Sequence, residues 1–536
     1  MPAKIDKVIA TNLTALQAKY GAAGVKKIQA ALQSLITADK KRGLTTAVFA
    51  LDRAADMKKV KAPAVTAATD PRQNKTAIDA IFKTLAPDYL LILGAADVIP
   101  HQDLKSPTFS PPDDDPDEFA FGDIPYACES PYSQQPEDFF GPTRVVGRLP
   151  DIQGGQDPQY LIGLLKRAAT YKSGDVDGYR QYFGISAEIW KGSTAMSLAN
   201  TFGDSDAMKT VPKSSSKWPA ASLGKLSHFI NCHGASRNQH FFGQPESGAE
   251  EFPTSLDATF LDKKVTEGTV AAAECCYGAQ LYNPHTRHPP ICNTYLGSGA
   301  YGFLGSTTIA YGPADGNGQA DLLCQFFLQN VLQGASLGRA MLEARQKFVH
   351  KSSMSDTANV KTIAQFNLYG DPSLVPVKSV HAVVPTKTKG GAKGKAAHAS
   401  STAQRVERAE RRRDLFSRGM ALAKSQPTIR RAAPSKRKSI NSALVKAAKA
   451  QGITPTNTLS FEVEAPPMSK AMPKAMMSKD LVTTRVHMCF GTPTGHPRKT
   501  NVTADEAESS SVVQTVALII KEVDGEVVST SKLFAK

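Results

Sequence analysis

Two short apolar runs in this chain end in side chains that can do covalent chemistry. Residues 226–231 (LSHFIN) lead into Cys232-His233-Gly234, and residues 269–273 (TVAAA) lead into Glu274-Cys275-Cys276-Tyr277-Gly278. A thiolate is a strong nucleophile, and an imidazole beside it can take the thiol proton and later protonate a leaving amine. Glycine after the histidine lets backbone approach closely and offers the unhindered N–H that a tetrahedral oxyanion needs. Taken singly, each motif is equally satisfied by a buried strand ending in small residues, with cysteine as an ordinary apolar side chain. The chemistry needs both motifs delivered to one place.

The surrounding pattern predicts how they are delivered. The first forty residues carry apolar positions at helical spacing and read as helix. Residues 45–51 (TTAVFAL) and 89–93 (YLLIL) read as buried strands, with a helix over 74–85 between them. Further strands are expected at 144–147, 182–186, 226–231, 269–274 and 300–305. Helices are expected at 158–172, 319–332 and 337–349, and 364–368 is a candidate to close the sheet. Continuous apolar strands alternating with helices predict an α/β fold with a largely parallel sheet covered by helices on both faces. In such a sheet the carboxyl ends of the strands converge on one crevice, where a histidine and a cysteine can face the same substrate.

The order of these motifs resembles the caspase-like clan of cysteine peptidases, and within it the gingipain family, over roughly residues 85–375. Residues 90–100 (LLILGAADVIP), 145–150 (VVGRLP), 303–307 (FLGST) and 366–374 (FNLYGDPSL) are similar to stretches of that family. The resemblance implies His233 as general base and acid, Cys276 as nucleophile, and an oxyanion hole made by the N–H groups of Gly234 and Cys276. Cys276 is preferred to Cys275 because it stands two residues before Gly278 and two after the acid. Ile185-Ser186-Ala187-Glu188 matches the Ser-Ala-Glu sequence whose glutamate orients the histidine, so Glu188 is the expected third member; a surface glutamate after a strand remains the alternative. The family's acid for a basic P1 side chain lies shortly after that glutamate, and residues 190–200 (WKGSTAMSLAN) contain none. Glu274 stands where metacaspases and clostripain place theirs, so it is expected either to receive a basic P1 residue or to accept backbone N–H groups.

Other constellations are weaker. Gly297–Gly302 fits GxGxxG but precedes a strand, which argues against a dinucleotide site. His285, His288 and Cys292 have metal-like spacing and no fourth ligand, so no metal is expected. No cofactor is expected either, except that Asp113, Asp114, Asp115, Asp117 and Glu118 have the hard oxygen ligands to take Ca²⁺.

With 536 residues, 41% hydrophobic and 21% charged, the chain can bury several cores and is not disordered throughout. No apolar run reaches the roughly 18 residues that a transmembrane helix needs. The opening residues show no signal-peptide pattern, and seven cysteines, two of them adjacent, do not resemble a disulfide framework. A cytoplasmic setting is therefore expected. Residues 383–450 hold 18 Lys and Arg against 3 Asp and Glu, which accounts for the whole net charge of +15. That segment is expected to be a flexible basic linker, with self-cleavage or contact with nucleic acid or an acidic surface as further readings. The expected organisation is a helical or α/β N-terminal extension (1–84), a supporting α/β subdomain (85–178), a caspase-like catalytic domain (179–380), the basic linker (381–455) and a small β-rich unit (456–536). The function so implied is a cysteine endopeptidase acting on polypeptides. The competing reading is a non-catalytic scaffold on the same fold.

Overall fold

The structure, a computed structural model, describes residues 4–536 except 112–113, 215, 250, 286, 379–392, 433–440, 465–482, 494–498, 504–508 and 514. Its centre is a ten-stranded sheet. In chain order the strands are β1 (Lys7–Thr11), β2 (Thr46–Ala50), β3 (Tyr89–Leu93), β4 (Val146–Leu149), β5 (Tyr182–Ala187), β6 (Lys209–Val211), β7 (Ser227–Asn231), β8 (Val270–Ala273), β9 (Gly302–Ser306) and β10 (Phe366–Gly370). Across the sheet the order is β2-β1-β3-β4-β10-β9-β8-β7-β5-β6, and every pairing is parallel except β9 with β10. Strands β1, β7, β8, β9 and β10 are buried along their whole length, as a sheet covered on both faces requires. The expected α/β class and largely parallel sheet are those of the structure.

Differences from the sequence reading are local and have physical causes. The first forty residues do not form one helix: β1 precedes the helix Leu13–Lys41, and Asn12 ends the strand by accepting the Ala15 N–H on its side chain. The run Val8-Ile9-Ala10 suits either element, and a parallel neighbour on each side decides for strand. Strands from residues 1–84, 85–178 and 179–380 all lie in the one sheet.

Two stretches quoted above prove to be buried ion-pair clasps. Arg148, fully buried, donates to both carboxylate oxygens of Asp123 at 2.8 and 2.6 Å and to the carbonyls of Gly94 and Ile99. Asp371 takes the ammonium of Lys7 from β1, and the Ser373 hydroxyl donates to it at 2.7 Å. These clasps lock the loop after β3 and the end of β10 to the sheet.

The basic segment differs most. Residues Lys393–Ser425 form a helix, and Arg408 and Arg412 of that helix reach Asp88 at 3.5 and 2.9 Å. Charge content alone reads as a solvated tether, yet half of an ion pair lies some 320 residues away in sequence and gives no local signal. Of the Lys/Gly/Ala-rich stretch that the sequence carries at 387–395, residues 387–392 lie outside the described residues, as do residues 433–438 of the second basic cluster at 430–438.

The last unit is an antiparallel sheet of β11 (Thr428–Arg431), β12 (Ile453–Glu464), β13 (Thr484–Pro493), β14 (Val516–Val523) and β15 (Glu526–Ala535). Asp524 and Gly525, at φ 50° and 90°, make the tight turn between β14 and β15 that their sequence predicts. This sheet does not stand apart. Its edge strand β15 pairs antiparallel with Tyr311–Gly312 of the central α/β unit, Ala535 opposite Tyr311 and Phe534 opposite Gly312. Among the described residues no helix is long and apolar enough to cross a membrane.

Candidate active site

Strands β8, β7 and β5 are neighbours, and their carboxyl ends carry the reactive motifs to one rim of the sheet. Ala273 stands opposite Ile230, so Glu274 to Cys276 emerge beside Cys232 to Gly234. The Glu274 N–H still donates to the Ile230 carbonyl at 2.8 Å. Contact between the two turns is close enough that a Cβ on Gly234 would run into the Cys276 carbonyl oxygen. Any other residue after His233 would force the turns apart.

His233 is 3% exposed and tightly framed. The Trp190 and Phe252 rings lie 4.3 and 5.1 Å from its ring centre. Its Nε2 bonds the Gln244 side-chain oxygen at 2.8 Å. The amide orientation is fixed because Gln244 Nε2 donates to the carbonyls of Gly248 and Ala249. Nε2 therefore carries the proton and donates it, and the buried Nδ1, without a hydrogen-bond partner, is the basic nitrogen. Burial, opposed by the Gln244 bond and aided by the positive charge of Lys536, holds the imidazole down at about 4.

The orienting contact on His233 is thus made by Gln244, whereas Glu188 was expected. Glu188 begins the short turn Glu188–Trp190 directly after β5 and pairs with Lys213, whose hydrogen bond holds its carboxyl below the usual range. Trp190, two residues on, fills the space beside the imidazole that a carboxylate would need.

The Cys276 thiol is 2% exposed; the Ala310 N–H donates to it at 3.3 Å, and it faces the Ala310 carbonyl at 3.6 Å. Burial pushes it up to about 12, so it is a thiol in this arrangement. Among the described residues no hydrogen bond joins the His233 ring to the Cys276 sulfur. Cys275 is fully buried and burial pushes its thiol well up.

One residue, Lys536, connects the remaining groups. The Cys276 N–H donates to its carbonyl oxygen at 2.6 Å, and its own N–H donates to the Ala310 carbonyl at 3.0 Å. Its side chain is fully buried and its ammonium lies 2.8 Å from Glu274 and 2.7 Å from Asp321. The stem passes over Gly312, where a Cβ would collide with it. Trp190 presents its ring face 5.7 Å from the ammonium. Burial, then the charge of Asp321, push Glu274 well up. Asp321, Gln244 and Lys536 were not singled out from the sequence. Asp321 sits in the first turn of the helix Gln319–Leu332, where an acid reads as a partner for the helix N-terminus.

Beside His233 lies a cavity of about 210 Å³, lined by Ile189, Trp190, Gln244, Gly248, Val516 and Phe534 among others. A larger one of about 630 Å³, between the helix Lys393–Ser425 and the body, shares no residue with it. Of the acids read as cation ligands, Asp114, Asp115 and Asp117 are engaged by protein groups. Asp115 and Asp117 hold the Lys361 ammonium at 2.7 and 3.2 Å, and Asp113 lies outside the described residues. His288 bonds Thr294, Cys292 faces the Gln280 carbonyl, and no group of three metal-ligating side chains is found among the described residues.

Comparison with known proteins gives these positions a family. The model of peptidase family C25 matches residues 14–377. No curated protein matches the chain. Among solved structures, the chain is similar to one described as "Structure of Protease", at 12% identity over 100% of this chain and 98% of that one, with a TM-score of 0.45. It is also similar to the Arg-specific cysteine proteinase gingipain R, at 11% identity over 99% and 97% of the two chains, with a TM-score of 0.48. The family assignment rests on the family model, which spans every strand from β2 to β10. The chain belongs to peptidase family C25, the gingipain family, and is a cysteine-type peptidase.

Proposed function

We propose that this peptidase is an endopeptidase that cuts after lysine, using His233 and Cys276. The observation carrying this reading is the Lys536 carbonyl oxygen on the Cys276 N–H with its ammonium between Glu274 and Asp321. That is where the carbonyl and side chain of a P1 residue would have to lie. His233 Nδ1 takes the thiol proton as sulfur attacks the carbonyl carbon; the Cys276 and Gly234 N–H groups receive the oxyanion. The proton then passes to the departing amine, leaving a thioester, which water hydrolyses with His233 again as base. Gln244 keeps the imidazole in the tautomer that leaves Nδ1 free.

Lysine is favoured over arginine because the pocket is closed around a single ammonium. A guanidinium needs a planar fork of acceptors, and two carboxylates facing one nitrogen do not supply it. The groove takes an extended strand, as the pairing with Tyr311–Gly312 supports. Self-cleavage within 383–450 is accordingly disfavoured in the helix Lys393–Ser425 while it stays folded.

A fluorogenic peptide series varied at P1 tests the reading. Hydrolysis should be fastest for Lys, slower for Arg and negligible for Ala or Glu, and Gly312→Ala should abolish the Lys preference. Equal rates for Lys and Ala would overturn the specificity; no hydrolysis of any member, including by a chain with Lys536 replaced, would overturn the dyad.

A further inference from the structure

Lys536 is not a free ligand but directly follows strand β15, and the two residues before it lie in register with the site. Ala535 pairs with Tyr311 and Phe534 with Gly312, so the segment adds a strand beside the sulfur as an extended substrate would. The anchoring is extensive: β15 is hydrogen-bonded along its length to β14, from Glu526 opposite Val523 to Phe534 opposite Val516. Leu533 and Ala535 are each 2% exposed and Lys536 is fully buried. With Cys276 as the nucleophile, residues 533–536 would correspond to P4 to P1, on the acyl side of the scissile position.

We propose that residues 533–536 are a tethered occupant of the peptidase's own groove, which keeps the site closed until it is displaced. This rests on the reading of His233 and Cys276 as the catalytic pair. Three observations support it beyond the contacts. First, with the segment in place His233 and Cys276 are 3% and 2% exposed, so no substrate carbonyl can reach the sulfur. Second, the one N–H of Cys276 that an oxyanion needs is already taken. Third, burial and the Lys536 charge hold the imidazole down while burial holds the thiol up, a pair in which neither member is ionised.

The tether makes the block effective. A linked ligand competes at an effective concentration of about millimolar, whereas peptidase substrates act at KM values of roughly 1 μM to 1 mM. A substrate at its KM would then gain the groove only when strand β15 lets go of its final residues. Withdrawing Lys536 also leaves Glu274 and Asp321 without their cation, and the emptied pocket should draw in a lysine from another chain.

The test compares the full chain with Lys536→Glu, whose carboxylate the pocket repels, and with the milder Lys536→Ala. Cys276 alkylation by iodoacetamide and hydrolysis of a Lys-P1 fluorogenic tetrapeptide are measured together. Both rates should rise about tenfold or more in Lys536→Glu and less in Lys536→Ala, as expected when a millimolar tethered competitor is removed. Alkylation of Cys324, fully buried in the helix Gln319–Leu332, should stay slow in a folded variant. The free peptide Leu-Phe-Ala-Lys should inhibit Lys536→Glu, and Leu-Phe-Ala-Glu should not. Unchanged rates in both variants, with no inhibition by the free peptide, would overturn the occupancy. Alkylation that rises while no peptide is cut would uphold occupancy and overturn the catalytic pair; a wild-type chain already as active as the variants would do the reverse.

Discussion

Replacing Cys276 by alanine should abolish peptide hydrolysis, with loss of at least about 10⁴-fold, while Cys275→Ala should retain most of it. The two sulfurs are adjacent in sequence and differ in what surrounds them. The Cys276 backbone N–H donates to the Lys536 carbonyl oxygen. Cys275 is fully buried at the end of β8, and its carbonyl accepts the Ser306 hydroxyl at 2.8 Å, which makes it part of the sheet. Removal of a covalent nucleophile leaves only binding and oxyanion stabilisation, and these account for a small part of the rate. Deleting the Cys275 sulfur creates a small void, at a cost of about 1 kcal/mol or somewhat more. The result is read as kcat/KM on a Lys-P1 peptide, with the melting temperature as a check on folding. Activity lost in Cys275→Ala and kept in Cys276→Ala would reverse the assignment.

The second large effect is expected in the proposed lysine pocket. Asp321→Asn should lower kcat/KM for a Lys-P1 peptide by roughly 150- to 5,000-fold, since breaking a buried ion pair from one side costs roughly 3–5 kcal/mol. Glu274→Gln should cost less. Burial and the nearby Asp321 charge push Glu274 well up, so its carboxyl offers less negative charge to an incoming ammonium. Both variants should leave alkylation of Cys276 in Lys536→Glu unchanged, because neither acid bonds the thiol or the imidazole. A loss confined to Lys and Arg substrates is the signature of a specificity pocket; equal losses on every P1 residue would assign these acids to the fold instead.

The two halves of this site were unequally visible in the sequence. His233 and Cys276 announce themselves because a buried parallel strand is a run of apolar residues, and a reactive residue at its end breaks the run abruptly. Glycine after the histidine is legible for the same reason, being demanded by the approach of the Cys276 carbonyl. Asp321 and Lys536 gave no such signal. One looks like a residue complementing a helix dipole and the other like a surface lysine after a strand, and only the pairing of β15 with Tyr311–Gly312 joins them. Gln244 was hidden similarly, since a neutral amide on a loop has no chemistry until a histidine is put against it. The matched Ser-Ala-Glu sequence led to Glu188, but that match is blind to Trp190, whose ring takes the place beside the imidazole. The same locality explains the first strand, short enough to merge with the helix that follows, and the basic helix, whose arginines find Asp88 only in the fold.

The most direct measurement is peptide mapping by mass spectrometry after treatment with a lysyl acyloxymethyl ketone, on the wild-type chain and on Lys536→Glu. Attack by an activated sulfur on this reagent releases a carboxylate and leaves a thioether on the attacking cysteine. One adduct is expected, on Cys276, formed faster in Lys536→Glu and lost in His233→Ala. An adduct on Cys275 or Cys232, or labelling of Cys276 that persists undiminished without His233, would contradict it.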